Sequence, residues 1–223
     1  MKRWNIDTAI EDIPLSREEF NRIMGFKAGV PAPFDQIFAK VSNALRIGTA
    51  AAEVAYFHNS EVEILQDRII LQEVVFYTGH KVTSCLQSCK SAALFICTLG
   101  AAFEERMKSF DSDPLEAYFA NTLGSLLCEA WANKVHESIL IKGQEEGLLT
   151  TNRYSPGYCH WSVEEQQKLF LFFKDSPTGI RLNNSSLMLP IKSISGVVGM
   201  GKRAKRIPYT CSVCADMRCI YRK

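Results

Sequence analysis

The sequence predicts a single α+β domain, mostly antiparallel strands with one long helix packed against them. Three stretches carry that prediction. "AALFICTLG", residues 92–100, is a short continuous apolar run ending in glycine, as a buried central strand requires. Residues 54–77, "VAYFHNSEVEILQDRIILQEVVFY", are rich in β-branched and aromatic residues and broken by "HNS" and "QD". They read as two or three strands joined by tight turns. Residues 113–142 carry an apolar helical face over about eight turns: Phe119, Leu123, Leu126, Leu127, Ala130 and Val135.

Along the chain, residues 1–15 read as a short strand or arm. Ser16 with Glu19 three residues on is a capping box, so a short helix starts there. "GVPAPFD", 29–35, is a loop. Ile37, Phe38, Val41 and Leu45 recur at helical spacing and predict one amphipathic helix over 36–54. A further helix falls around 80–89. Asp113 caps the long helix and Pro114 fills its first position, where no backbone N–H is needed. Gly124 inside it costs roughly 1 kcal/mol relative to alanine and marks close approach of another backbone. Ser162, followed by Glu165, opens a short helix over "SVEEQQKLFLFF". "TGIRLNNSSLMLPIKSISGVVGMG" then alternates and bends like strands and turns. Residues 201–223 form a basic, cysteine-containing tail. With no repeat, low-complexity segment or linker, residues 1–223 read as one domain.

Composition excludes several classes. With 47% hydrophobic and 22% charged residues the chain is an ordinary globular one, and at 223 residues it can bury a core without staples. A net charge of +2 predicts no nucleic-acid grip. No run of 18 apolar residues is present, so no membrane span is expected. The start lacks an apolar signal core, and eight cysteines without an export signal point to reduced thiols in a cytoplasm. His58, His80 and His136 have no cysteine or carboxylate at ligand spacing. No Ser-His-Asp order, phosphate loop or dinucleotide fingerprint occurs.

The candidate site begins at "RYSPGYCHW", residues 153–161. Pro156-Gly157 is a turn pair in any protein, and Arg153 alone is as readily a solvated side chain. The functional alternative is a small anionic ligand at a backbone corner. Gly157 lets the main chain come close, Arg153 offers a planar fork to a carboxylate or phosphate, and Tyr158 a flat face with a polar tip. A second candidate is the tail, where Cys211, Cys214 and Cys219 form C-x2-C-x4-C. Three thiols at this spacing can clamp a soft metal, zinc or an iron–sulfur cluster. A closed zinc site needs a fourth ligand, which Cys159 or His160 would supply if the tail folds back. The alternative is a terminal strand with incidental thiols. "GKRAKR", 201–206, reads as a solvated basic turn more readily than as a contact for an acidic partner.

"RYSPGY", followed by Trp161, Glu164-Glu165-Gln166 and Leu169-Phe170, then "LNNSSLMLPIKSISGVVGMG", resembles the activation domain of vitamin B12-dependent methionine synthase, most closely its small free-standing bacterial forms. The resemblance covers residues 85–223 well and the first 80 weakly. It implies that the Arg-x-x-x-Gly-Tyr stretch binds S-adenosylmethionine, through Arg153 and the corner Ser155, Pro156, Gly157 and Tyr158. "EAWANKVHES", 129–138, resembles the family helix with a ligand-facing glutamate, which places that role on Glu129; a salt-bridged glutamate on a helix face is the plainer alternative. The resemblance implies a reactivation subunit that presents the ligand's methyl group to reduced cobalamin held by a partner methyltransferase, most simply methionine synthase. An external flavodoxin or ferredoxin supplies the electron. The cobalt is the nucleophile, so no catalytic residue is expected in this chain, nor is a nucleic-acid or membrane partner. Two further readings stand beside this one: a docking module for a corrinoid protein, and a redox factor that uses the tail cysteines. The chain departs from the family where a tyrosine follows the Ser-x-Ser-Gly turn; Val197 and Val198 stand there instead. The acidic contact from the family's early segment has no clear counterpart in residues 1–80.

Overall fold

A computed structural model describes residues 1–27 and 29–207. β1 (Lys2–Ala9) leads into α1 (Arg17–Met24) and α2 (Phe34–Leu45), and then β2 (Thr49–Phe57). A small sheet follows, β3 (Val62–Ile64), β4 (Ile69–Leu71) and β5 (Val74–Phe76). Next come α3 (Gly79–Leu86), β6 (Ser91–Thr98), α4 (Ala101–Lys108) and the long α5 (Pro114–Glu145). β7 (Leu149–Tyr154), α6 (Gln166–Leu169), β8 (Arg181–Leu182), β9 (Met188–Leu189) and β10 (Ser193–Gly201) complete the described chain. The main sheet has the order β1-β2-β6-β10-β7, every neighbouring pair antiparallel. The α+β class with one long helix holds.

Two apolar clusters lie on the two faces of this sheet. One joins Val54, Phe95 and Val198 to Phe119, Leu123, Trp131 and Val135 of α5, with Phe20 of α1 and Phe38 of α2. The other joins Phe57, Leu94, Ile96 and Val197 to Phe76, Trp161 and Phe172. β6 is central because all eight of its residues are buried, with β2 on one side and β10 on the other. Its continuous apolar run serves two covered faces at once.

The predicted helix over 36–54 is two elements. α2 stops at Leu45, Gly48 turns the chain at φ 112°, and β2 begins at Thr49. The alanines that read as helical are small for a packing reason. Ala50 and Ala52 share a core with the fully buried Trp131, whose indole donates to the Ala51 carbonyl at 3.1 Å. Asp113 caps α5 as expected, accepting from the backbones of Leu115 (2.8 Å) and Glu116 (3.2 Å). A Cβ on Gly124 would lie 3.0 Å from Lys192 Cε and 3.0 Å from the Met107 sulfur, so side chains rather than another backbone occupy the space. Ser162 caps Glu164 N at 3.3 Å, but the box does not close: the Glu165 carboxylate instead accepts from Tyr77 N (2.9 Å) and Lys168 Nζ (2.6 Å). The segment is accordingly broken into α6 between two 3-10 turns.

Candidate functional site

Arg153 is not in a turn. It and Tyr154 close strand β7, and the irregular part of the string starts at Ser155. Alternation along β7 sends Tyr154 into the second core and Arg153 to the α5 face, opposite Val198 in the ladder. There the guanidinium meets α5. Arg153 NH2 donates to Glu129 Oε2 at 2.5 Å, and NH1 donates to Asn133 Oδ1 at 2.6 Å. Glu129 and Asn133 are four residues apart, so one helix face presents both acceptors to one fork. The structure thus brings together Glu129 and Arg153, which are 24 residues apart in sequence, and adds Asn133. The i+4 spacing from Glu129 was the available signal for Asn133.

This pair is poorly explained as a device for stability. The Glu129 side chain is 54% exposed, and at such exposure an ion pair contributes about 0–1 kcal/mol. What it does is fix the plane and position of a cation at the rim of the sheet.

Beyond Tyr154 the chain makes a closed corner. Gly157 N donates to the Trp161 carbonyl at 2.7 Å, Tyr158 N to Ser155 O at 3.2 Å, and Trp161 N to Tyr158 O at 2.9 Å. Gly157 adopts φ 91°, a left-handed conformation that side chains resist. Pro156 is buried, Ser155 half-buried and Tyr158 69% exposed. The buried Trp161 packs edge-on to Phe76 and anchors the far end of the corner.

The Ser-x-Ser-Gly segment holds this corner from below. A Cβ on Gly196 would lie 2.7 Å from Tyr154 O and 3.1 Å from Ser155 Oγ, so glycine alone admits the strand end to its place beside β10. Ser195 Oγ donates to Gln166 Oε1 at 2.8 Å, and Gln166 Nε2 donates to Ser186 O at 2.7 Å. The two motifs, 40 residues apart in sequence, therefore form one structural unit. Val197 and Val198, where the family tyrosine is missing, are both fully buried, one in each core. Nothing from those positions reaches the surface of the site.

Beneath Arg153 lies a neutral layer. Burial pushes the Cys97 thiol up to about 12 and raises Cys128 further, against the nearby Arg153. His136, 3% exposed with Nε2 3.0 Å from Thr151 O, is pushed down to about 4 by burial and by the neighbouring Arg206 and Arg153 cations. The unfolded chain therefore binds this proton at higher pH than the folded one. Stability from a neutral His136 is complete above about pH 6.5 and is lost as pH falls toward 4, by up to about 3 kcal/mol. His136→Gln is expected to flatten the pH dependence of the melting temperature across that window; an unchanged slope would show that other groups carry it.

Among the described residues no three His, Cys, Asp or Glu side chains converge as a metal site. Cys211, Cys214 and Cys219 lie outside the described residues. Lys202, Arg203, Lys205 and Arg206 of the basic segment are exposed, as a solvated turn predicts. No helix among the described residues is long and apolar enough to cross a membrane.

The fold is an α+β domain in which an antiparallel sheet packs under one long helix, and Arg153 ties the strand end ahead of the glycine corner to that helix. Residues 86–214 match the family model described as the vitamin B12 dependent methionine synthase activation domain, and the chain belongs to that family. No curated protein matches it. Among solved structures, the crystal structure of the MetH reactivation domain bound to AdoHcy aligns at a TM-score of 0.67 and 15% identity, covering 92% of this chain and 80% of that one. At that identity the likeness establishes the fold.

Proposed function

We propose that this chain binds S-adenosylmethionine at the Glu129–Arg153–Gly157 corner and presents its methyl group to reduced cobalamin held by a partner methyltransferase. The observation that carries this reading is the Arg153 fork, fixed by Glu129 and Asn133 beside a glycine corner that Gly196 admits. The MetH reactivation domain with the same fold was solved with AdoHcy, the demethylated form of the proposed ligand. Arg153 has five N–H donors and spends two on α5, so the others remain for the ligand's carboxylate. The Glu129 carboxylate, half exposed, balances the ligand's ammonium or sulfonium charge. Backbone groups of Ser155, Pro156, Gly157 and Tyr158 hold the remainder, with the exposed Tyr158 ring as a lid.

The corrinoid supplies the nucleophile and an external flavodoxin or ferredoxin the electron; this chain supplies alignment. The C–S bond breaks with its electron pair on sulfur, and S-adenosylhomocysteine is released. No general base is needed, and the protein's contribution is to hold donor and acceptor in line at short distance. With a corrinoid partner, an electron donor and methyl-labelled S-adenosylmethionine, label is expected on the corrinoid only when this chain is present. A chain that binds the partner but leaves the corrinoid unlabelled would be a docking module. The wholly buried Val197 and Val198 favour that second reading, since they add no grip on the ligand. For the tail, we propose that Cys211, Cys214 and Cys219 clamp one soft metal ion or iron–sulfur cluster.

A further inference from the structure

The two edges of the five-stranded sheet are built differently. At the β7 edge the ladder is broken by a register shift between Val198 and Met200. The chain also returns beside that edge: Asn152 Nδ2 donates to Ile207 O at 2.8 Å, and Ile207 N donates to Asn152 Oδ1 at 3.0 Å. At the other edge β1 runs eight residues in unbroken register with β2, from Lys2 opposite Tyr56 to Ala9 opposite Thr49. It contains no proline, glycine or bulge. Among the described residues its backbone pairs with β2 alone. A long, regular edge of unpaired N–H and C=O groups is a template for one more strand.

The side chains of β1 say which strand fits. Trp4 and Ile6 point to the α5 side, where they pack against the core and stay partly exposed. Arg3, Asn5 and Asp7 are exposed on the opposite side, next to Ala55, Glu53 and Ala51 of β2. Arg3 NH1 donates to Glu53 Oε1 at 3.3 Å, and the guanidinium keeps further donors free for a second acceptor. Asp7 has no hydrogen-bond or ion partner among the described residues. The strand therefore carries cations, Lys2 and Arg3, at one end and an anion, Asp7, at the other. Such a strand is complementary to itself when run antiparallel.

We infer that β1 pairs antiparallel with β1 of a second copy of this chain, Asn5 against Asn5 on a two-fold axis. In this register Arg3 meets Asp7 of the second copy and Trp4 meets Ile6 of the second copy, and symmetry makes each contact twice. Opposite-charge pairs and aromatic–β-branched pairs are the favourable cross-strand combinations. An in-register parallel pairing would instead set Lys2 and Arg3 beside their own copies. A slip of one residue turns Trp4 against Asn5 and exchanges the two faces. A slip of two leaves Arg3 and Asp7 without each other. The result is a continuous ten-stranded sheet with β7, and the Arg153 corner, at each outer edge. Nine strand spacings separate those edges by roughly 40 Å, so each corner remains open to its own protein partner.

Sedimentation velocity of the full chain, taken up to about 100 µM, is expected to show a dimer. Asp7→Arg sets arginine against arginine at both charged pairs. It should raise the dimer Kd by about tenfold or more and leave the melting temperature and S-adenosylmethionine binding unchanged. Arg3→Asp should likewise fail to pair with itself. An equimolar mixture of the two variants should form a heterodimer, because every arginine then meets an aspartate. If Arg3→Asp does not fold beside Glu53, register is read by cross-linking. Under mild oxidation Asn5→Cys should give an interchain disulfide that the wild type does not, since the position faces its own copy. Asp7→Cys should not, lying about 14 Å from its own copy along the paired strands. A wild-type chain that stays monomeric throughout overturns the inference. So does a dimer that Asp7→Arg leaves intact and Asn5→Cys does not cross-link, because it then uses another face. Neither outcome depends on whether S-adenosylmethionine binds, so the ligand reading stands or falls separately.

Discussion

Arg153→Ala is expected to weaken S-adenosylmethionine binding by about 1.5–3 kcal/mol, the usual range for a hydrogen bond to a charged group. That is roughly a ten- to hundredfold rise in Kd. The melting temperature should barely move. The partner carboxylate of Glu129 is 54% exposed and regains water when the arginine goes, so no charge is stranded in the core. This combination separates a ligand cation from a structural one. A truly structural arginine would show the reverse, a lowered melting temperature with binding intact. The pairing with Asn133 adds a check on positioning. Asn133→Ala should leave the charge in place but loosen the fork, and so raise Kd less than Arg153→Ala does. Asn133→Asp, which keeps an acceptor at that position, should restore most of the loss.

The second large effect is expected at Gly196, a residue that touches no ligand in this account. Any Cβ there would sit 2.7 Å from the Tyr154 carbonyl, a backbone atom that can yield only by moving the end of β7. Gly196→Val should therefore displace Arg153 and the corner together. Overpacking of this kind costs about 1–3 kcal/mol of stability, and ligand binding should be lost even where the protein remains folded. Gly196→Ala should follow in the same direction with a smaller effect. Heat-capacity and binding measurements on the folded fraction decide the matter. Binding that survives in a folded Gly196→Val variant would mean that the corner is not part of the site.

The parts of the fold legible in sequence are those whose local pattern has one physical cause. Asp113 and Pro114 fix the start of α5 by capping alone. The apolar run of β6 follows from burial on both faces. The alanine-rich stretch at 50–52 was misread because alanine suits both a helix and a strand under a bulky ring, and only Trp131, 80 residues away, decides between them. Glu165 was read as a cap from its spacing, but the distant Tyr77 backbone claims its carboxylate. At the candidate site, Glu129, Arg153 and Gly157 were marked by residue type and family resemblance. Their mutual geometry was not legible, because it depends on the alternation of β7 and on Gly196. Asn133 went unremarked because its role exists only once Arg153 is laid across α5.

Isothermal titration of the full chain with S-adenosylmethionine, repeated with Arg153→Ala, tests the central claim most directly. The account predicts one site per chain, displacement by S-adenosylhomocysteine, and a Kd that rises roughly ten- to a hundredfold in the variant. Wild-type protein that takes up no S-adenosylmethionine, or an Arg153→Ala variant that binds it as tightly as the wild type, would contradict it.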